Sequence, residues 1–287
     1  MIARLLRVNQ WIKNFFLFAG IIFSRHFVYP DQVYKVIIAF FTFCALSSGV
    51  YIINDLVDLK KDQKHPDKRN RPITSGQVGS VPALILGLSL TLVGITSAYF
   101  LNLNFFYAAV VYSALMHLYT FALKDFIILD LFIVAFGYVL RAAGGALVIG
   151  VEISSWLLIC TFLIALFLIM AKRRHEILLV ESPEVHRSSL SGYSPILLDQ
   201  MISVVTSATV VSYSFYTLSE QTVSKFGTRN LVFTIPIVIY GIFRYLYIVY
   251  KKEGAGAPEI AVVKDKPLLL SLLVWVIAIL LILTPRF

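Results

Sequence analysis

Charge is what this sequence has least of. Asp, Glu, Lys and Arg make up 14% of its 287 residues, against roughly 25% in an ordinary soluble domain. Apolar residues make up 59%, and the mean hydropathy is +0.82. That balance excludes a water-soluble globule, with or without a membrane anchor. Cysteine is nearly absent: Cys44 and Cys160 both lie inside apolar runs, so neither a disulfide framework nor redox chemistry is expected. Histidine is scarce as well. His26, His117 and His186 show no metal-ligand spacing, so a zinc site is not expected, while His65 and His175 adjoin the polar segments discussed below. The amino end lacks a small-x-small cleavage site after Phe15 to Phe23, and Gln10, Lys13 and Asn14 interrupt its start. It reads as a retained first span and not as a secretory signal.

What is abundant is apolar sequence in about nine stretches of roughly 17 to 25 residues, each long enough as a helix to cross a hydrocarbon core. They lie near 11–29, 34–53, 82–101, 104–123, 126–149, 154–171, 201–219, 230–250 and 267–284. A β-barrel is excluded because runs such as Leu157 to Ala171 are apolar on every side, where barrel strands would alternate. The expected fold is an all-α membrane protein, with residues 1–287 forming a single polytopic domain in the lipid bilayer. With the amino end placed in the cytoplasm, most of the 25 Lys and Arg residues fall on that side. The opposite side holds only Arg25, Lys35, Lys225, Arg229 and Arg286, and Arg141 and Arg244 lie within spans. The net charge of +9 therefore reflects topology, and no nucleic-acid partner is implied. Three longer polar segments, near 54–81, 172–200 and 251–266, all face the cytoplasm, so a polar substrate is expected from there.

The first of these carries the chemistry. Asn54 is followed by Asp55, Asp58 and Asp62, spaced i, i+3 and i+7, which predicts three carboxylates on one face of a helix continuing from the second span. Like charges at a membrane boundary need a cation between them. Mg²⁺ suits such oxygen ligands, because protein sites commonly hold it through one or two carboxylates plus substrate phosphates. A solvated interfacial helix is the plainer reading. Pro66 is expected to end the helix, and Lys68, Arg69 and Arg71 follow. Cations beside a carboxylate-bound metal make a site for a diphosphate, although positive-inside anchoring also explains these three residues. In the first span, Lys13 is either a functional cation or one that snorkels to the interface. Arg141 sits mid-span and calls for a phosphate or carboxylate partner such as Asp130; structural pairing and substrate contact both stay open. Gly144 and Gly145 suit close helix packing.

The run Asn-Asp-x-x-Asp-x-x-x-Asp, followed by Lys-Arg-x-Arg-Pro-Ile-x-Ser-Gly, resembles the first aspartate-rich motif of the UbiA-type intramembrane prenyltransferase superfamily. The resemblance implies nine helices around a cytoplasm-facing cavity and Mg²⁺ held by Asp55, Asp58 and Asp62 against a substrate diphosphate. Members usually carry a second aspartate-rich motif after the sixth span. Here that place reads Ala171-Lys172-Arg173-Arg174-His175-Glu176, and the nearest Asp is Asp199. Exchanging carboxylates for cations suits a substrate set richer in phosphate.

This departure is similar to one branch, the decaprenyl-phosphate phosphoribosyltransferases of arabinan-building bacteria. Matching residues include Gln10-Trp11-Ile12-Lys13-Asn14, Leu123-Lys124 with Asp130, Arg141, Lys172-Arg173 with Glu176, Tyr193 with Pro195, Arg244-Tyr245, Gly256 to Glu259, Asp265 and Trp275. The branch usually has Tyr-Ala where this chain has Arg174-His175, and a Glu can stand at Asp130. The resemblance implies transfer of 5-phosphoribose from phosphoribosyl diphosphate to a polyprenyl phosphate, in a bacterial plasma membrane and as a step toward the cell wall, with a β-configured product. It assigns substrate contacts to Asn54, Lys68, Arg69, Arg71, Lys124, Lys13, Asn14, Arg141 and Glu176. Lys172 and Arg173 take a terminal phosphate, either the ribose 5-phosphate or the lipid phosphate. Two other readings stand beside it: an aromatic prenyltransferase acting on a phenol such as 4-hydroxybenzoate, and a transporter whose acidic helix binds a coupling ion.

Overall fold

The structure is a computed structural model that describes residues 1–64, 68–178, 192–251 and 264–284. Every regular element among the described residues is helical, as expected where backbone groups in hydrocarbon must satisfy one another within a segment. Among the described residues seven helical segments are long and apolar enough to cross a membrane, where the sequence predicted about nine. The difference has two causes. The first stretch is not one helix: after α1 (Ile2–Leu5) a 3₁₀ run covers Val8–Leu17 and hands over to the short α2 (Phe18–Ile22). The fourth, α6 (Leu103–Phe121), is continuous, but Asn104, Tyr112, His117 and Tyr119 dilute its apolar character.

The chain forms two compact units. The first comprises Met1–Glu152 with Glu181–Tyr193. Its centre is α3 (Pro30–Val57), which begins with Pro30 in the first turn, where a missing N–H costs nothing. The apolar stretch of α3 is 67% buried, against 17% for that of α5 (Ser80–Leu101), so α3 is central and α5 leaves most of its apolar surface exposed. With α6 and α7 (Leu129–Leu147) these helices enclose a core of Leu17, Phe43, Leu46, Phe105, Tyr112 and Ile133. The broken first stretch packs on α7 because Gly145 has no side chain: a Cβ there would collide with the Leu17 carbonyl. The packing role expected of this glycine is thus observed.

The second unit comprises Ile153–Val180 with Ser194–Phe287. Its helices are α8 (Ser155–Leu178), α9 (Pro195–Leu218), α10 (Glu220–Phe226), α11 (Ile235–Lys251) and α12 (Lys266–Leu283). α8 packs on α9, and α11 on both α9 and α12. Arg244, expected within a span, reaches Asp265 through two hydrogen bonds of 2.9 Å, and Asp265 also caps α12 by accepting from Leu268 N–H. The mid-helix cation is neutralised, and the last helix is fixed to its neighbour. Pro66, His65 and the stretch Gly256 to Glu259 lie outside the described residues.

Candidate active site

The acid-rich segment does not form one uninterrupted helix. α3 stops at Val57, Asp58 caps it with φ −88° and ψ 5°, and one further turn, α4, runs from Leu59 to Asp62. The carboxyl end of a helix carries partial negative charge, so carboxylates gathered there repel both the dipole and one another. At this break Asp58 pairs with a cation apart from the one that Asp55 and Asp62 share. Asp55, Asp58 and Asp62 are all buried. Asp55 Oδ1 accepts from Arg7 Nη2 and, at 2.9 Å, from Arg71 Nη1, which also donates to Asp62 Oδ2 at 2.5 Å. Asp58 turns instead to Lys124, whose Nζ donates to Oδ1 at 2.5 Å. The expected face of three carboxylates is therefore corrected to a pair, Asp55 and Asp62, meeting on one guanidinium, with Asp58 in a separate buried ion pair. Asn54 is buried beside them, and its carbonyl accepts from Asp58 N–H at 2.9 Å.

Among the described residues no group of three His, Cys, Asp or Glu side chains is disposed to hold a metal ion. The positive charge expected between the carboxylates comes from Arg7, Arg71 and Lys124. The donor set still fits Mg²⁺. Asp55 and Asp62 are acceptor-only oxygens close enough to share one Nη1, and two carboxylates plus substrate phosphate make a common magnesium site. Of the basic residues that follow, Lys68 and Arg69 lie on a 3₁₀ turn, Lys68 half-buried and Arg69 exposed, while Arg71 reaches Asp55 and Asp62.

Arg7 is the residue that sequence reasoning missed. As one of the basic residues flanking the first span, it looked like a topology anchor, and Asp55 lies 48 positions away. Its backbone adopts φ 50° and ψ 49°, an uncommon conformation for a non-glycine residue, and its guanidinium also lies over the Tyr51 ring. Trp11 Nε1 donates to Ser48 Oγ, which donates to the Leu6 carbonyl, so the amino segment is tied to α3 along its length.

A second cluster surrounds Arg141. The expected partner, Asp130, is not its partner. Arg141 Nε donates to Asn14 Oδ1 at 2.7 Å, Nη1 to the Gly137 carbonyl at 2.8 Å and Nη2 to the Tyr112 hydroxyl at 2.7 Å. The guanidinium also stacks over Tyr112, 4.6 Å from the ring centroid. Asn14 is fully buried, and its Nδ2 donates to Ser47 Oγ and Cys44 Sγ. Lys13 is half-buried and within electrostatic reach of Tyr112. The charge of Arg141 is thus dispersed over neutral acceptors and a ring face.

In the second unit, the cations expected to act together at the end of α8 divide. Arg173 Nη1 donates to Glu176 Oε2 at 2.9 Å, with Lys172 Nζ 4.0 Å from Oε1. Arg174 turns elsewhere: its Nε donates to Asp199 Oδ1 at 2.5 Å, and it stacks on Tyr250, whose hydroxyl donates to the same oxygen.

The sequence profile of the UbiA prenyltransferase family matches residues 14–273. The chain is 30% identical to a decaprenyl-phosphate phosphoribosyltransferase of Mycolicibacterium smegmatis, over 96% of this chain and 90% of that protein. It is 32% identical to the protein of the same name from Corynebacterium glutamicum, over 96% of this chain and 84% of that one. Among solved structures, a UbiA homolog from Archaeoglobus fulgidus bound to GPP and Mg²⁺ matches with a TM-score of 0.75 at 15% identity, covering 99% of both chains. At that identity the likeness is one of fold.

Proposed function

This chain belongs to the UbiA prenyltransferase family, and from that premise we propose that it transfers 5-phosphoribose from phosphoribosyl diphosphate to a polyprenyl phosphate, releasing diphosphate. It is a multi-pass membrane protein and a transferase of that family. The observation that carries the finer reading is the match to two decaprenyl-phosphate phosphoribosyltransferases along 96% of the chain. A supporting feature is the basic Lys172-Arg173-Arg174 run where the family's second aspartate motif would stand.

The leaving group is a diphosphate, and stabilising its developing charge is the main demand of the reaction. Mg²⁺, when held by Asp55 and Asp62, supplies Lewis-acid neutralisation of that charge. Arg7, already on Asp55, and Arg71, already on Asp55 and Asp62, would hold phosphate oxygens through paired N–H donors. Lys124 holds Asp58 in its buried ion pair, and Lys68 and Arg69 extend the cationic rim. As the bond at ribose C1 breaks, positive charge grows on the sugar, as in glycoside transfer. The acceptor phosphate is already an anion, so no general base is required. Lys172 and Arg173 are assigned a terminal phosphate, that of the ribose or of the lipid. The setting proposed is a bacterial plasma membrane, with the amino end and the three polar segments cytoplasmic and the whole chain a single domain.

The test supplies purified protein with radiolabelled phosphoribosyl diphosphate, polyprenyl phosphate and Mg²⁺. Label is expected in the lipid only when all three are present. Prenylation of 4-hydroxybenzoate without labelled lipid would instead establish the aromatic reading, and lipid or ion movement with no chemistry the carrier reading.

A further inference from the structure

The turn joining α6 to α7 is strained, and a segment far along the chain pins it. Ile128 precedes α7 with φ 68° and ψ −47°, which a β-branched residue adopts only where its surroundings hold it. Its N–H donates to the Tyr193 hydroxyl at 2.6 Å, across 65 positions of sequence. That hydroxyl donates in turn to Asp130 Oδ1 at 2.7 Å. Asp130 is fully buried and Tyr193 nearly so. Gly192 passes so close to the turn that a Cβ on it would run into the Ile127 side chain. These contacts all fall within the first unit.

The other end of the same turn carries Lys124, buried in its ion pair with Asp58. Between the two ends, Phe126 N–H donates to the Leu123 carbonyl and Asp130 N–H to the Phe126 carbonyl, so the turn is linked by its own backbone hydrogen bonds. Relaxing the strain at Ile128 would therefore move Lys124. We propose that Tyr193 and Asp130 are positioning residues for the acid site: they hold residues 122–130 in the strained form that keeps Lys124 on Asp58. The link to turnover rests on the proposed phosphoribosyl transfer, but the placement of Lys124 does not.

The experiment uses the full-length protein and measures, by mass spectrometry, how fast Lys124 is reductively methylated in Tyr193→Phe and Asp130→Asn. In the unaltered protein Lys124 is protected. In both variants its methylation is expected to speed up about tenfold, and the KM for phosphoribosyl diphosphate to rise by about the same factor with kcat changed less, the scale typical of outer-shell partners. The melting temperature and the methylation of half-exposed Lys172 should stay as they are. Tyr250→Phe, which deletes a hydroxyl-to-carboxylate contact in the second unit, should leave Lys124 protected. The proposal is overturned if Lys124 stays protected in both variants, or if it is exposed only together with general loosening of every lysine and a lower melting temperature. Should Tyr193→Phe fail to fold, Asp130→Asn, which keeps the side-chain shape, decides alone. Faster methylation of Lys124 in a protein that forms no labelled lipid would uphold the positioning and refute the proposed reaction.

Discussion

Two buried charge clusters in the first unit solve the same electrostatic problem in opposite ways. At the end of α3, carboxylates are matched by the chain's own cations, and Arg71 divides itself between Asp55 and Asp62. Around Arg141 a lone cation is matched by no anion among the described residues, and it spends Nε, Nη1 and Nη2 on Asn14, Gly137 and Tyr112. Ion pairs at a partly open edge can exchange a partner for a metal or a phosphate, because each exchange replaces charge with like charge. A guanidinium wrapped in neutral groups has no such substitute, and removing it strands its neighbours. The first arrangement suits a working site, the second a structural one.

That contrast is sharpest at Asp62→Asn. Removing one charge from the Asp55–Asp62 pair should lower the transfer rate by about 10²–10³-fold, the scale of losing one preorganised electrostatic contact, while the melting temperature moves little. A variant that melts early and turns over normally would reverse the assignment of the two clusters. Next in size, Arg141→Met should cost about 3 kcal/mol of stability, since it leaves buried Asn14 and Tyr112 groups unsatisfied. Thermal unfolding in detergent reads this directly, and an Arg141 variant that melts normally yet no longer binds phosphoribosyl diphosphate would make it a substrate residue after all. The smallest effect is expected at Arg174→Gln. Its pair with Asp199 is partly exposed, so the change should cost under about 1 kcal/mol and leave the KM for both substrates unaltered. A clear KM change would return Arg174 to the company of Lys172 and Arg173.

Much of this was legible in the linear chain. The scarcity of charge announced the membrane, and the Asp55, Asp58 and Asp62 spacing marked the candidate site, because both signals are local. The break of α3 at Asp58 was not legible, since helix periodicity assumes the carboxylates stay on one face and says nothing of the cation waiting for each. Arg7 was invisible for a related reason: a basic residue beside a span carries the same sequence signal whether it anchors topology or reaches a carboxylate. Asp130 and Arg141, both charged and in one helix, read as candidate partners in the sequence; in the structure Asp130 accepts from the Tyr193 hydroxyl instead.

Composition and spacing thus settled the solvent this protein folds in, the class of its elements and the acidic end of α3, because hydropathy and charge density act over neighbouring residues whatever the rest of the chain does. Which cation meets which carboxylate was left to packing. Arg7, Arg71 and Lys124 reach Asp55, Asp62 and Asp58 only once the 3₁₀ segment, the loop after α4 and the α6–α7 turn have been brought to one place, and burial there makes each unpaired charge too costly to leave alone.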